Sequence, residues 1–83
     1  MNLIDFPLRG EFITLDRLLK ATGIAPSGGM AKALVAGGRV QVDGRDELRK
    51  TCKLRAGQVV SLAGVRITVL APASAEAEPD QNL

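Results

Sequence analysis

The clearest structural pattern in the chain is TLDRLLKATGIAPSGGMAKALVAGGRVQVDG, residues 14–44. In its first part, residues spaced i, i+3, i+4 and i+7 share one face of a helix; they are Leu15, Leu18, Leu19 and Thr22. Thr14 stands where a helix N-cap is favoured, and Gly23 stands where a helix commonly ends. We therefore predict a first short helix between these two residues.

A second helix is predicted beyond the connector Ile24-Ala25-Pro26. The same spacing recurs there, at Met30, Ala33, Leu34 and Gly37. Ser27 is the predicted N-cap, and the pair Gly37-Gly38 stops the helix. Two short helices joined by a few residues form a helix-turn-helix hairpin.

After the second helix the period of the pattern changes from about 3.6 to about 2, which indicates strands. Residues 39–42 alternate polar and apolar, and Asp43-Gly44 is a strong hairpin-turn signal. Residues 45–57 are charged and are predicted to be irregular. Two further strands, joined by a short turn, are predicted at 58–62 and 65–70.

The two ends of the chain differ from its middle. Residues 1–10 contain a proline and a glycine and are predicted to be an arm leading into the fold, with a short strand at 11–13. Residues 72–83 are rich in Ala, Glu, Pro and Ser, and we expect a disordered acidic tail there. A chain of 83 residues suffices for one domain, which we place at 11–71.

Charge is distributed unevenly along the chain. Residues 1–71 carry all 11 Lys and Arg residues but only six of the nine acids, whereas 72–83 are acidic. Nine of the bases lie between residues 15 and 55. A basic body suits a polyanionic partner such as a nucleic acid. A solvated surface without such a partner explains the charge equally well.

The composition argues against several classes of function. The chain has no His, and its acids are scattered over predicted turns and caps, so no group suited to general acid-base catalysis is found. The single cysteine, Cys52, can form neither an intrachain disulfide nor a Cys/His metal cluster. No apolar run approaches the roughly 20 residues of a membrane span. We expect a cytoplasmic protein with no enzyme activity, no cofactor, no metal and no membrane partner.

The start of the second helix is a candidate anion site. Ser27-Gly28-Gly29 presents backbone N–H groups with almost no side chain in front of them. Each glycine inside a helix costs about 1 kcal/mol relative to alanine, so two in one turn invite an explanation. Close approach of a phosphate is one explanation. Tight packing against the first helix, or a helix that begins only at Met30, are the others.

An ordered set of segments spans residues 11–71: TLDRLLK at 14–20, Ser27, Ala31-Lys32, GRVQVDG at 38–44, ELRKTCK at 47–53 and AGQVV at 56–60. Together these segments resemble the S-four-type RNA-binding domain, also called the alpha-L motif. The run at 47–53 is similar to that of the YbcJ-like group of small single-domain bacterial proteins. The resemblance implies an α+β fold, in which a two-helix alpha-L hairpin packs on a small antiparallel β-sheet.

The resemblance also implies RNA binding by the helix pair and the basic residues beside it. On the first helix, Arg17 lies three residues before Lys20 and is predicted to face solvent with it, opposite the leucines. With Arg17 and the candidate anion site included, the candidate RNA contacts are Arg17, Lys20, Ser27, Gly28, Gly29, Lys32, Arg39, Arg49, Lys50 and Lys53. The chain departs from the broader family at Gly28-Gly29, where many members have a basic residue after the cap serine. A second departure is Gln58, where many members have Asp.

We therefore expect a non-enzymatic protein that recognises structured RNA through phosphate contacts and shape. Phe6 and Phe12 are the only aromatic residues, which argues against a base-stacking surface. Ribosomal or transfer RNA is the partner that the resemblance implies, together with ribosomal or RNA-processing proteins.

The alternative is a protein-interaction adaptor that uses the same fold without RNA. It predicts that Arg49, Lys50 and Lys53 are neutralised by neighbouring acids such as Asp46 and Glu47. DNA binding by the helix pair is disfavoured, because no long helix carries several side chains suited to reading bases.

Overall fold

The computed structural model describes residues 2–72. In chain order the elements are β1 (Asn2–Pro7), β2 (Ile13–Thr14), α1 (Leu15–Ala21), α2 (Gly28–Ala36), β3 (Gln41–Val42), β4 (Arg45–Asp46), β5 (Lys53–Leu54), β6 (Val59–Leu62) and β7 (Val65–Leu70). The protein is thus an α+β fold, as predicted. The predicted tail at 72–83 lies, apart from Pro72, outside the described residues.

The main sheet has five strands in the order β1-β7-β6-β3-β4. The expectation of an antiparallel sheet is wrong at one edge, because β1 pairs in parallel with β7, from Asn2 opposite Val65 to Pro7 opposite Leu70. The residues predicted to be an arm therefore contain an edge strand. Pro7 suggested a break in structure, but it ends an edge strand, a position that tolerates a residue without an N–H donor.

A second, two-stranded sheet pairs β2 with β5, with Ile13 opposite Leu54 and Thr14 opposite Lys53. We call it the ribbon. The prediction that 45–57 is irregular is therefore wrong at β5, and also at β4, which pairs with β3 across the Asp43-Gly44 turn. Both turn residues have the positive φ that this hairpin requires, 53° and 85°.

Helix α1 buries the predicted leucines, Leu15, Leu18 and Leu19. The predicted buried face of α2 is wrong: Ala31 and Val35 are buried, whereas Met30 is 49% exposed. The error arises because α2 is apolar at nearly every position, so that several faces fit the spacing.

One core cluster joins both helices, the ribbon and the sheet. Its buried members are Leu8, Leu15, Leu18, Leu19, Ala25, Ala31, Val35, Val40, Val42, Leu54, Val60, Leu62, Ile67 and Val69. In the described part of the chain this core contains no charged or polar residue. The charged side chains therefore lie around a rigid apolar centre, where the strands and helix ends determine their positions.

Candidate nucleic-acid interface

The ribbon strand β5 and the residue after it carry two basic side chains on one face, next to an aromatic ring. Leu54 is fully buried, so its neighbours Lys53 and Arg55 point to the opposite, solvent side of the strand. The Lys53 Nζ atom lies 4.9 Å from the centroid of the Phe12 ring, and the Arg55 Cζ atom lies 5.7 Å from it. Both distances are within the range of cation–π attraction, so the ring restrains both cations.

The segment between β4 and β5 is attached to the start of α1 through backbone hydrogen bonds. The Leu15 N–H donates to the Cys52 carbonyl at 2.9 Å, and the Asp16 N–H donates to the Lys50 carbonyl at 3.0 Å. Thr14 makes no side-chain cap hydrogen bond, so these carbonyls satisfy N–H groups that a helix start leaves without partners. Lys50 is thereby fixed beside the first turn of α1, which carries Arg17.

Arg49 and Lys53 line one shallow cleft together with Thr51 and Cys52, about 320 Å³ in volume. Partial burial raises the pKa of the Cys52 thiol above its ordinary value. The structure thus brings together a group of bases that we call the basic corner. Its members are Arg17, Arg49, Lys50, Lys53 and Arg55.

One acid forms a salt bridge with the basic corner. The Arg49 Nε atom and the Arg49 backbone N–H both donate to the Glu47 Oε2 atom, each at 3.1 Å. The backbone hydrogen bond, with the guanidinium bond beside it, lowers the pKa of the Glu47 carboxyl. Among residues 2–72 this is the single salt bridge that the structure records.

The other nearby acids accept hydrogen bonds from neutral groups. The Asp16 carboxylate accepts from the Arg17 backbone N–H at 2.9 Å. The Asp46 carboxylate accepts from the Gln41 amide at 3.2 Å. Asp43 accepts from the Val59 backbone N–H at 2.9 Å and from the Gln58 amide at 3.1 Å. The five basic residues of the basic corner outnumber the two acids that contact them, Asp16 and Glu47, so the basic corner keeps a surplus of positive charge.

Gln58, one of the two departures from the broader family, links two turns. Its side-chain amide donates to Asp43, and its side-chain carbonyl accepts from the Arg55 backbone N–H at 2.8 Å. An aspartate would supply the acceptor but not the donor. The departure therefore connects the β3–β4 turn to the end of the ribbon, beside Arg55.

The start of α2 argues against two of the three explanations of its two glycines. The helix begins at Gly28, and the Ser27 Oγ atom accepts from the Met30 N–H at 3.3 Å, as a cap should. A side chain at Gly28 would meet nothing within 4 Å, and one at Gly29 would meet only Ser27 Oγ at 3.9 Å. Packing against α1 therefore does not require glycine at either position, and the alternative of a helix that begins only at Met30 is wrong.

Three predicted bases lie outside the basic corner. Lys20 is exposed in the last turn of α1, and Lys32 is exposed on α2. Arg39 lines a separate shallow depression with Gln41, Ser61 and neighbouring residues of the β6–β7 turn. None of the three takes part in the contacts that define the basic corner.

Sequence reasoning missed two parts of this surface, Arg55 and Phe12, as members of a site. A signal was present, since Lys53-Leu54-Arg55 alternates charged, apolar, charged, the pattern of a half-buried strand.

In the described part of the chain, no helix has the length and apolar character to cross a membrane. Within the described residues, no three side chains of His, Cys, Asp or Glu lie together in a group that could hold a metal ion.

Comparison with known proteins defines the class to which this chain belongs. The family model described as the S4 domain matches residues 6–70. The chain therefore belongs to the S4 domain family.

Individual relatives agree with that assignment. The chain is 49% identical over 59 residues to YbcJ of Escherichia coli (strain K12), which covers 71% of this chain and 84% of that protein. YbcJ of Shigella flexneri matches over the same share with the same identity, 49%. The solution structure of YbcJ from E. coli is described as revealing an αL motif involved in RNA-binding. It superimposes with a TM-score of 0.67 at 44% identity, covering 86% of this chain and 91% of that one.

Proposed function

We propose that this protein is a non-enzymatic RNA-binding protein that holds structured RNA through the basic corner and the start of α2. The observation that carries the proposal is the basic corner itself. It contains five basic residues at the ribbon and the first turn of α1, and only one of the five, Arg49, takes part in a salt bridge recorded for residues 2–72. The similarity to YbcJ, whose αL motif is described as involved in RNA-binding, supports the choice of RNA as the polyanion.

Recognition proceeds mainly through phosphates and shape. Exposed Lys and Arg side chains bind the phosphates of the RNA backbone. Phosphate contacts carry little sequence information. The free N–H groups at the start of α2 add a second anion contact, and the open space in front of Gly28 and Gly29 lets a phosphate reach the backbone. A duplex or folded RNA presents phosphates at fixed spacings that such a rigid surface can match.

The RNA we propose is ribosomal or transfer RNA in the cytoplasm, with ribosomal or RNA-processing proteins as further partners. The test is crosslinking of RNA to the full chain in cells, followed by sequencing of the bound RNA. We expect wild type to enrich ribosomal or transfer RNA, and Lys50→Ala with Lys53→Ala to yield much less of the same RNA. Enrichment of neither class would contradict this choice of RNA.

The adaptor alternative receives support at a single basic residue. It requires neutralised bases at positions 49, 50 and 53, and the structure records a salt bridge for Arg49. Asp46 accepts a hydrogen bond from Gln41 and takes part in no recorded salt bridge. Crosslinks to protein alone, with no RNA recovered, would favour the adaptor.

A further inference from the structure

A cleft of about 530 Å³ lies between the β1–β2 connection and α1. Its volume falls within the roughly 300–1,000 Å³ typical of ligand pockets. The lining residues that carry the following argument are Phe6, Leu8, Arg9, Phe12, Ile13 and Arg17. Leu8 is buried, and its N–H donates to the Leu70 carbonyl at 3.0 Å, so one wall of the cleft is fixed to the main sheet.

The cleft combines aromatic surface with positive charge. Phe6 and Phe12 are the only aromatic residues of the whole chain, and both line it. Phe12 is 40% exposed, so part of its ring is open to a ligand. Arg9 and Arg17 add two guanidinium groups, and none of the residues recorded as lining the cleft is acidic. The ligand that fits is therefore flat, largely apolar and joined to an anion.

We propose that this cleft receives one unpaired nucleobase of the bound RNA, stacked on Phe12, with the adjoining phosphate on Arg9 and Arg17. The inference rests on the proposed RNA binding and adds to it a contact with a nucleobase. Bases of single-stranded loops and bulges can be splayed out and stacked on aromatic rings, whereas paired bases are already stacked within the helix. The RNA would then be a folded one that carries an extruded nucleotide.

The surroundings of Phe12 favour a nucleotide over an apolar side chain of a protein partner. Lys53 and Arg55 lie 4.9 Å and 5.7 Å from its ring centroid and continue the positive surface from the cleft into the basic corner. Phosphates on either side of a stacked base would meet cations in both directions. An apolar protein side chain would use the rings but leave Arg9 and Arg17 without a counter-charge.

The experiment measures the affinity of the full chain for three RNA hairpins of one sequence. The first is fully paired, the second carries a single-nucleotide bulge, and the third carries the same bulge without its base. Stacking on an aromatic side chain changes affinity by about fivefold to a hundredfold per base. We expect wild type to bind the base-bearing bulge at least about fivefold more tightly than the abasic one.

Two variants locate the effect. Phe12→Leu keeps an apolar side chain but removes the ring, and we expect it to abolish the preference for the base-bearing over the abasic bulge. Since the ring also restrains Lys53 and Arg55, we expect a smaller loss of affinity common to all three hairpins beside it. Leu48→Ala, a control at a side chain 61% exposed and outside the cleft lining, should keep the preference. Arg9→Gln should weaken the base-bearing and abasic bulges by similar factors, because both retain the phosphate.

Equal wild-type affinity for the base-bearing and abasic bulges would overturn the inference and leave the proposed function standing. A Phe12→Leu variant that keeps the preference would overturn it in the same way, as would one that weakens all three hairpins equally. If Arg9→Gln weakens the base-bearing bulge alone, the phosphate contact of Arg9 is wrong. Absence of binding to all three hairpins would overturn the inference and the proposed function together.

Discussion

The basic corner and the two outer lysines, Lys20 and Lys32, carry the same kind of charge on different supports. In the basic corner, the Lys53 ammonium lies 4.9 Å from the Phe12 ring centroid, and this cation–π contact restrains the side chain. Lys20 and Lys32 are exposed on helix surfaces. A free lysine loses about 1.5–2 kcal/mol of rotamer entropy when it is immobilised, and a restrained one loses less. We therefore expect a restrained lysine to contribute more to RNA affinity than a free lysine of the same charge.

The largest expected effect comes from removing the support of the basic corner. Leu54 is fully buried and anchors the ribbon, so Leu54→Ala should lower the free energy of unfolding by about 2–5 kcal/mol. Leu48→Ala is the matched control, because the same atoms are removed from an exposed side chain, and it should change stability by less than about 0.5 kcal/mol. Denaturant unfolding measures both. Similar values for the two variants would show that the ribbon does not depend on Leu54.

The next prediction compares the two groups of bases directly. Lys50→Ala with Lys53→Ala should weaken binding to a folded RNA about tenfold, and Lys20→Ala with Lys32→Ala by less, about threefold. Both double variants remove two positive charges, so the net charge changes equally and the difference between them reports the position of the charges. Filter-binding or anisotropy titrations provide the affinities. A greater loss in the outer pair would reverse the ranking that we draw from the structure.

A third prediction separates stability from binding at the start of α2. Gly28→Ala with Gly29→Ala should raise the free energy of unfolding by up to about 2 kcal/mol, about 1 kcal/mol for each glycine, because alanine is the better helix former and each new methyl group has room. The same variant should bind RNA more weakly, since the methyl groups obstruct approach to the backbone N–H groups. Thermal unfolding and RNA titration of one sample test both. Greater stability with unchanged affinity would remove this helix start from the interface.

The smallest expected effect concerns the acid beside the basic corner. Glu47→Gln removes the partner of Arg49 and should strengthen RNA binding slightly, because the guanidinium becomes available to phosphate. Its effect on stability should be about 0.2–1 kcal/mol at neutral pH, as for other exposed pairs, since the Arg49 side chain is 77% exposed.

The pH dependence of this effect has a definite sign. Folding lowers the pKa of Glu47, so its contribution to stability is present above the unfolded pKa and is lost as pH falls through the folded pKa. Unfolding curves of wild type and Glu47→Gln should therefore converge in acid. A difference that grows with falling pH would contradict the lowered pKa.

The sequence predicted α1 and β7 well, because each has one clear period over six or more residues. Leu15, Leu18 and Leu19 are buried as expected, and β7 spans the predicted residues 65–70. The short strand predicted at 11–13 overlaps β2, but its partner β5 and their pairing were missed, since they join positions about 40 residues apart, such as Ile13 with Leu54. Such a pairing is set by the packing of the whole core, and the alternation at Lys53-Leu54-Arg55 does not reveal the partner strand.

The candidate site was predictable in its residue types and less so in its arrangement. The excess of bases at 49–53 is visible in the sequence, but its attachment to α1 depends on backbone carbonyls of Lys50 and Cys52. No side-chain pattern reports such bonds. The scarcity of aromatics suggested no stacking surface, yet the fold brings Phe6 and Phe12 to one cleft.

The central claim, that phosphates on the basic corner dominate binding, is tested most directly by a salt titration. Wild type, Lys50→Ala and Lys53→Ala are each titrated with two unrelated RNA hairpins at several salt concentrations. The logarithm of wild-type affinity should fall steeply and linearly with the logarithm of salt concentration, in proportion to the phosphates neutralised. Each variant should have a slope shallower by about one and should lose affinity for both hairpins by similar factors. Affinity that is insensitive to salt, or a variant that loses only one hairpin, would contradict the claim.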